Sequence, residues 1–190
     1  GNGVTLKATT DIILGAFTVQ TNAGPITFWS DTDFATSRGG GIKTVASSSI
    51  LSGGGDIVLS GGASSAAGLT SSWAKGTTAT DGVGANLAGT ITSGAGALTI
   101  RGEEATTTVS TKMAILFDKT SRTSSTTGSI SIDGKVDATN TDTTNNHYGV
   151  WIGNNDAANL ASVSSTTGSI YVRGDSSGNA GANRKGIILY

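Results

Sequence analysis

The sequence predicts an all-β chain wound into a single-stranded parallel β-helix (β-solenoid), with about five to six coils of three short strands each and long polar loops on one edge. A glycine-led phrase recurs at intervals of 31, 41, 32 and 40 residues, the size of one unit of a repeat protein. The apolar residues, 36% of the chain, fall in short alternating bursts typical of half-buried strands. Glycine is abundant, with 29 residues of 190, and few stretches favour helix.

The first strand of each predicted coil follows the pattern Gly-x-(Ile/Leu)-x-(aliphatic/aromatic). Because alternate side chains of a strand point to opposite faces, the third and fifth residues of the phrase should face the interior. Equivalent residues of stacked coils should then form two files, with about 4.8 Å between neighbours. The predicted files are Ile26, Ile57, Leu98, Ile130 and Ile170, and beside them Phe28, Leu59, Ile100, Ile132 and Val172.

Two further bursts in each repeat complete a triangular coil. A propeller blade would need four strands and its own signature dipeptides, which the sequence lacks. Val150 with Ile187, and Ile152 with Leu189, are predicted to form matching files on the second face. The second bursts are Gly82–Ala85, Ala114–Phe117, Gly149–Ile152 and Gly186–Leu189, and the third bursts are Ser49–Leu51, Thr90–Thr92 and Leu160–Val163.

Glycines are predicted to form the corners of the coil. The glycine before each first strand is expected to adopt a positive φ, which glycine accepts without steric cost. A second corner is expected where Arg101-Gly102, Asp133-Gly134 and Arg173-Gly174 end the same strand. The polar segments after these corners, Asp137–His147 and Gly174–Lys185, are the predicted loops.

The whole chain, residues 1–190, is expected to be one continuous β-solenoid segment of a much longer repeat protein. Both ends fall inside strand-like phrases, and natural solenoids cap such edges. The expected partners are therefore further repeats of the same chain or copies of itself stacked end to end. The approximate coils are 1–23, 24–54, 55–95, 96–127, 128–167 and 168–190.

Several phrases of the chain carry a resemblance to a known family. They are Gly-Val-Thr-Leu-Lys-Ala (3–8), Asp-Ile-Ile-Leu-Gly-Ala (11–16), Gly-Pro-Ile-Thr-Phe-Trp-Ser-Asp (24–31), Gly-Gly-Gly-Asp-Ile-Val-Leu-Ser-Gly-Gly (53–62) and Tyr-Gly-Val-Trp-Ile (148–152). These resemble the repeats of large bacterial surface proteins of the filamentous-haemagglutinin-like class. The resemblance implies secretion, a long right-handed β-helical shaft, and a role in adhesion or matrix formation. The expected function is thus a structural shaft module of a secreted bacterial adhesin or extracellular fibre, at the cell surface or outside the cell.

Charge and composition argue against several other classes. The chain has 12 basic and 13 acidic residues without a cluster of either sign, so it lacks the basic footprint of proteins that bind nucleic acid or anionic membranes. No apolar window is long enough to span a bilayer, so the segment is not expected to be membrane-embedded. With no cysteine, the chain has neither disulfides nor thiolate metal sites.

The sequence predicts no catalytic, cofactor-binding or metal site. His147 is the only histidine and is interpreted as a solvated loop residue beside Asn145 and Asn146. The pairs Asp31/Asp33 and Glu103/Glu104 resemble the carboxylates of polysaccharide-degrading enzymes, but no acidic position recurs after successive first strands, so a non-enzymatic role is favoured.

Calcium in the loops is the remaining metal candidate. The phrase Gly53–Leu59 approaches a calcium-binding Gly-Gly-x-Gly-x-Asp repeat but lacks its spacing and its tandem recurrence. Asp31–Asp33 and Asp137–Asp142 offer oxygen ligands, and hydrated loops are the favoured interpretation there.

The alternative function is a carbohydrate-binding β-helix module that uses exposed aromatic residues and loops, with surface glycans or a host or neighbouring cell surface as partner. Trp29, Trp151 and Tyr171 are predicted to face away from the interior. Together with Trp73 or Tyr148 they would stack on sugars or seat another subunit. Packing of these rings beneath their own long loops is favoured over ligand contact.

Overall fold

A computed structural model describes residues 1–33, 39–105, 111–138, 146–153, 160–177 and 183–190. Within them the chain forms three parallel β-sheets and almost no helix, stacked in layers as a parallel β-solenoid. The predicted fold class is confirmed. The first sheet contains β1 (Val4–Lys7), β4 (Ile26–Ser30), β7 (Ile57–Gly61), β11 (Leu98–Glu103), β14 (Ile130–Lys135) and β17 (Ile170–Asp175), with β8 (Ala74–Lys75) beside β11. The second sheet contains β2 (Ile12–Leu14), β5 (Ile42–Thr44), β9 (Ala85–Leu87), β12 (Thr111–Phe117), β15 (Asn146–Ile152) and β18 (Asn183–Leu189). The third sheet contains β3 (Thr18–Gln20), β6 (Ser49–Leu51), β10 (Thr90–Thr92), β13 (Arg122–Ser125) and β16 (Ser162–Ser165).

The core of the solenoid consists of files of aliphatic side chains that run through successive coils. Both files predicted for the first sheet are present in register, and Val4 and Leu6 extend them by one coil. The files are fully buried from the second coil to the fifth, whereas Ile170 in the last coil is 44% exposed. The first-sheet files are therefore closed to solvent in the middle coils and more open at both ends of the stack, since Val4 and Leu6 are only half-buried.

The second and third sheets supply the other two walls of the core. Val150 pairs with Ile187 and Ile152 with Leu189, as predicted, and Ile115 and Phe117 continue these two files into the coil before. In the third sheet, one interior file includes a residue from each of its five strands. It consists of Val19, Ile50, Ile91, Thr123 and Val163.

Two of the predicted bursts are shifted in the structure. The strand expected at Gly82–Ala85 begins only at Ala85, and the one expected at Leu160–Val163 begins at Ser162. Close backbone approach explains the first shift, because a Cβ on Gly84 would stand 2.4 Å from the amide nitrogen of Glu103. Gly84 thus belongs to a crowded corner that precedes the strand.

The glycines before the first strands serve close packing of successive coils, so the expectation of positive φ at these positions is wrong. None of the five has a positive φ, whereas Ala23, Gly53, Gly54 and Gly94 shortly before them do. A Cβ on Gly128 would lie only 1.9 Å from the carbonyl oxygen of Gly96 in the coil below. Side chains are excluded there by the backbone of the neighbouring coil. The glycines form one file: Gly24, Gly55, Gly96, Gly128 and Gly168.

The predicted second corner is also wrong, because the first-sheet strands continue through Gly102, Gly134 and Gly174. These glycines mark the place where the first and second sheets converge. A Cβ on Gly134 would lie 2.1 Å from the carbonyl oxygen of Gly149, and one on Gly174 would lie 1.8 Å from that of Gly186. The first-sheet strands continue past this point of close approach between the two sheets before the chain turns.

Buried hydroxyl groups satisfy the carbonyls at the corner between the third and first sheets. A serine or threonine stands three residues before every corner glycine, and its hydroxyl donates to a corner-glycine carbonyl, as from Ser93 to Gly96 at 2.7 Å. Buried carbonyls without a donor are costly, so this ladder stabilises the corner. Its members are Thr21, Ser52, Ser93, Ser125 and Ser165.

The long connections lie between the first and the second sheet, on one edge of the solenoid. The best described of them, residues 62–84, folds back over the outer face of the first sheet and contains the 3-10 helices Ala66–Thr70 and Thr78–Thr80. Parts of the loops predicted at Asp137–His147 and Gly174–Lys185 lie outside the described residues, and His147 itself belongs to β15.

Candidate functional site

A cleft of about 370 Å³ opens at the loop-bearing edge, on the outer face of the first sheet. Its volume falls within the usual range of small-molecule sites. Four coils contribute to it, because Asp31 follows β4, Gly62 follows β7, and the other residues come from the 62–84 connection and from β11 and β14. We call it the Trp73 cleft. It is lined by Asp31, Gly62, Ser72, Trp73, Lys75, Glu103 and Lys135.

The floor of the Trp73 cleft is held by backbone hydrogen bonds. The amide and carbonyl of Lys75 both bond to Gly40 at 3.0 Å, and the amide of Gly76 donates to the carbonyl of Glu103 at 2.9 Å. The carbonyl of Ser72 accepts from the Arg101 side chain at 2.9 Å. The segment that carries Trp73 and Lys75 is therefore fixed to the first sheet from both sides.

The indole of Trp73 forms one wall of the cleft. The guanidinium carbon of Arg101 lies 4.4 Å from the ring centroid, and the ammonium nitrogen of Lys135 lies 4.9 Å from it. Cations at these distances are attracted to an aromatic ring and restrict its orientation. The indole nitrogen is buried and has no hydrogen-bond partner among the described residues.

Asp31 is the most unusual residue of the cleft. It is 6% exposed and adopts a left-handed backbone conformation with φ of +51°. Burial, reinforced by the neighbouring Asp33 carboxyl, raises the pKa of Asp31 to about 6, although Lys75 opposes this rise. Its Oδ1 atom has no hydrogen-bond partner in the described part of the chain. The Asp31 carboxyl is hydrogen-bonded to the Asp33 side chain, and its Oδ1 atom is thus left without a donor among the described residues.

The remaining charges around the cleft compensate one another. Lys75 Nζ lies 3.0 Å from Asp137 Oδ2, and Lys135 Nζ lies 3.7 Å from Glu103 Oε2. Burial raises the pKa of Glu103, and the attraction of Lys135 and Lys75 counteracts that effect. The side chains that line the cleft therefore carry little net charge.

The structure places Asp31 and Glu103 on one cleft, although the sequence presented them as members of two separate acidic pairs. No group of three or more His, Asp or Glu side chains suited to a metal ion occurs within the described ranges. Residues 140 and 142 of the calcium candidate lie outside those ranges. For Lys135 a sequence signal existed, since it pairs with Glu103 at the equivalent position of the next coil. Trp73 and Lys75 lie in an insertion without a repeated counterpart, so no periodic signal marked them.

His147 is buried, and its interpretation as a solvated loop residue is wrong. Its ring is fully inaccessible to solvent, and Nδ1 lies 3.0 Å from Oε2 of Glu104, which is also fully buried. His147 stands in register with Lys112 and Arg184 of the adjacent coils. His147, Glu104 and Lys112 are all buried and form a polar cluster beyond the place where the first and second sheets converge.

The predicted exposed aromatic residues are mostly packed against protein. Trp29 is buried under the 62–73 loop, against Ala63 and Leu69, and its indole nitrogen donates to the Ala63 carbonyl at 3.0 Å. The favoured packing interpretation is confirmed for Trp29. On the second sheet Trp151 packs between two tyrosine rings, those of Tyr148 and Tyr190. Tyr171 is 59% exposed.

Fold and cleft together define a parallel β-solenoid with a surface cleft at its loop-bearing edge. Comparisons with protein-family models, with curated proteins and with solved structures found no match to this chain. In the described part of the chain, no helix has the length and apolar character needed to cross a lipid bilayer.

Proposed function

We propose that this chain is a structural shaft module of a large secreted bacterial adhesin or extracellular fibre, located at the bacterial surface or outside the cell. Its role is mechanical rather than catalytic: a stiff scaffold for adhesion or matrix assembly. The observation that carries the proposal is the unbroken register of the interior files through all coils of the first sheet. Stacked coils with a shared register give a rod that lengthens by about 4.8 Å per coil.

The outermost strands support stacking of further coils. Each of β1 and β17 pairs with one neighbour in the first sheet and leaves its other edge unpaired. The file residue Leu189, at the same end as β17, is 70% exposed. Further repeats, or copies of this chain stacked end to end, are the partners that we propose.

The bacterial surface setting is supported by the resemblance of the repeat phrases to filamentous-haemagglutinin-like proteins. The balanced charge, with 12 basic and 13 acidic residues, agrees with a partner other than nucleic acid. An extracellular shaft also suits a chain without cysteine, because the stacking of successive coils stabilises a solenoid without disulfides.

The proposal is tested by electron cryomicroscopy of the native assembly that contains this segment, with fibre diffraction as a second measurement. We expect a continuous rod with a repeat near 4.8 Å along its axis. The coils of this segment should pass without a break into neighbouring coils. Discrete particles whose two ends are closed by non-solenoid caps would contradict a shaft function.

A further inference from the structure

The Trp73 cleft has unused hydrogen-bonding capacity of both kinds. Oδ1 of Asp31 is a buried acceptor without a donor, and the Trp73 indole nitrogen is a buried donor without an acceptor, among the described residues. Each such group destabilises the folded state while it stays unsatisfied. Both belong to residues that line the same cleft. Both atoms have almost no accessible surface, so a ligand that donates and accepts hydrogen bonds would reach them only when their side chains turn toward the cleft.

Local charge decides between ionic and neutral ligands. Lys75 and Lys135 each face a carboxylate, at 3.0 Å from Asp137 and 3.7 Å from Glu103. An anion would have to compete with these carboxylates, and a cation would have to compete with the two ammonium groups. A neutral ligand meets neither penalty, because hydroxyl groups donate to carboxylates and accept from ammonium groups.

The wall of the cleft adds an apolar requirement. Trp73 contributes a large indole surface whose orientation is restricted by Arg101 and Lys135. Aromatic residues with a polar edge favour ligands that combine apolar C–H surface with hydroxyl groups. Hydrogen bonds to its backbone hold the segment around Trp73 and Lys75 in place, so a ligand would have to move side chains only.

From these three properties we propose that the Trp73 cleft binds an uncharged sugar residue, with Asp31 accepting a hydrogen bond from a sugar hydroxyl and Trp73 contacting the ring. This assigns the chain a recognition site beyond its role as a shaft. Glu103, Lys75 and Lys135 orient further hydroxyl groups. The site is open at the surface, which allows the sugar to be one unit of a longer glycan.

The test is a binding titration of the 190-residue protein with a panel of neutral oligosaccharides built from glucose, galactose, mannose and N-acetylglucosamine, followed by calorimetry and by tryptophan fluorescence. We expect at least one member to bind and to perturb the fluorescence. Trp73→Ala and Asp31→Asn should each weaken that binding at least tenfold. Tyr171→Ala removes an exposed aromatic ring outside the cleft and should change the affinity less than twofold.

Trp73→Phe separates loss of the site from loss of the fold, because it keeps a ring while removing the indole nitrogen. It should bind more weakly than the unmodified protein while its unfolding temperature stays close to normal. Absence of binding by every neutral oligosaccharide at millimolar concentration would overturn the proposal. Binding confined to acidic glycans and abolished by salt would also overturn it, as would equal affinity in all variants. None of these outcomes bears on whether the coils form a rod.

Discussion

Asp31 combines burial, a left-handed backbone and an unsatisfied carboxylate oxygen in one residue. Each feature is unfavourable for folding, and such residues persist where the surrounding structure imposes them, often at binding sites. Both neighbouring coils hold the backbone of Asp31 in its conformation. The carbonyl of Ser30 accepts from the amide of Gly62, and the amide of Asp31 donates to the carbonyl of Thr10. The carboxylate is thereby held at the edge of the cleft.

Replacement of Asp31 by asparagine should change the pH dependence of stability. The pKa of Asp31 rises from 3.8 to about 6 on folding, so the folded state holds the proton more tightly. The free energy of unfolding should therefore decrease as pH rises from about 4 to about 6, and stay constant above. In Asp31→Asn, this contribution, on the order of 1–2 kcal/mol after allowance for solvent screening, should be absent.

Urea denaturation of both proteins at pH 4 and pH 7 measures this difference. Asparagine tolerates the left-handed conformation, so the variant adds no backbone strain. Other groups with shifted pKa values, such as Glu103 and Asp175, contribute equally to both proteins and cancel in the comparison. An identical pH profile in the two proteins would show that folding does not raise the pKa of Asp31.

His147 illustrates how sequence neighbours mislead about single residues. Its neighbours Asn145 and Asn146 indicate a polar loop, but its contact in space is Glu104, 43 positions away. The partners of a buried polar side chain are set by the register of coils, which composition does not encode. Register information was present in the repeats, yet the number of residues between β14 and β15 differs from the number between the corresponding strands of the other coils.

At the scale of the strand, the alternation of inward and outward side chains makes a direct prediction. Ile130→Asp places a carboxylate in the closed interior file and should cost about 4 kcal/mol or more, because a buried charge without a partner is strongly destabilising. Ser131→Asp puts the same side chain on the outer face, between Thr99 and Tyr171, and should be tolerated within about 1 kcal/mol.

Chemical denaturation of the two aspartate variants provides the measurement. A one-residue shift of register would reverse the two results, since it would turn every side chain of the strand to the other face. Equal tolerance of both substitutions would contradict the assigned faces.

Substitution of a corner glycine tests how closely successive coils pack. Gly128→Ala would place a Cβ 1.9 Å from the carbonyl oxygen of Gly96, so the two coils would have to separate. We expect a loss of about 3 kcal/mol or more. Gly15→Ala is the matched control, because its Cβ would contact only the Phe17 ring at 3.7 Å, and it should change stability by about 1 kcal/mol or less.

Thermal unfolding of the two alanine variants distinguishes close approach from backbone conformation as the reason for glycine. Neither position has a positive φ. Similar unfolding temperatures for both variants would rule out steric exclusion by the coil below. A selective loss in Gly128→Ala is the expected result.

For the molecule as a whole, the sequence predicted the solenoid, its three walls and the interior files of the first sheet. These features depend on alternation and on repeat length, which a single sequence displays directly. Short polar strands such as Arg122–Ser125 were not predicted, because serine and threonine give no apolar alternation. The serine or threonine three residues before each corner glycine was a readable signal, and it marks the corner hydroxyl ladder.

The Trp73 cleft was beyond sequence reasoning for a different reason. It joins residues from four coils, and two of them, Trp73 and Lys75, come from a connection that occurs once. A repeat pattern predicts what recurs, whereas a binding site is formed where one coil departs from the pattern. Asp31 and Glu103 were noticed as acidic residues, but their proximity to one cleft depends on the path of the 62–84 connection.

The alternation of short and long repeats, at 31, 41, 32 and 40 residues, has a consequence for the protein under tension. A solenoid pulled from its ends gives way one coil at a time, because each coil is held only by its neighbours. Each detached coil releases its own contour, about 110 Å for a short repeat and about 140 Å for a long one. Extension traces in optical tweezers should therefore show two step sizes in alternation. Under load the long repeats, which include the loops of the cleft, therefore release more length than the short repeats. The protein would absorb the energy of extension in steps of two alternating sizes.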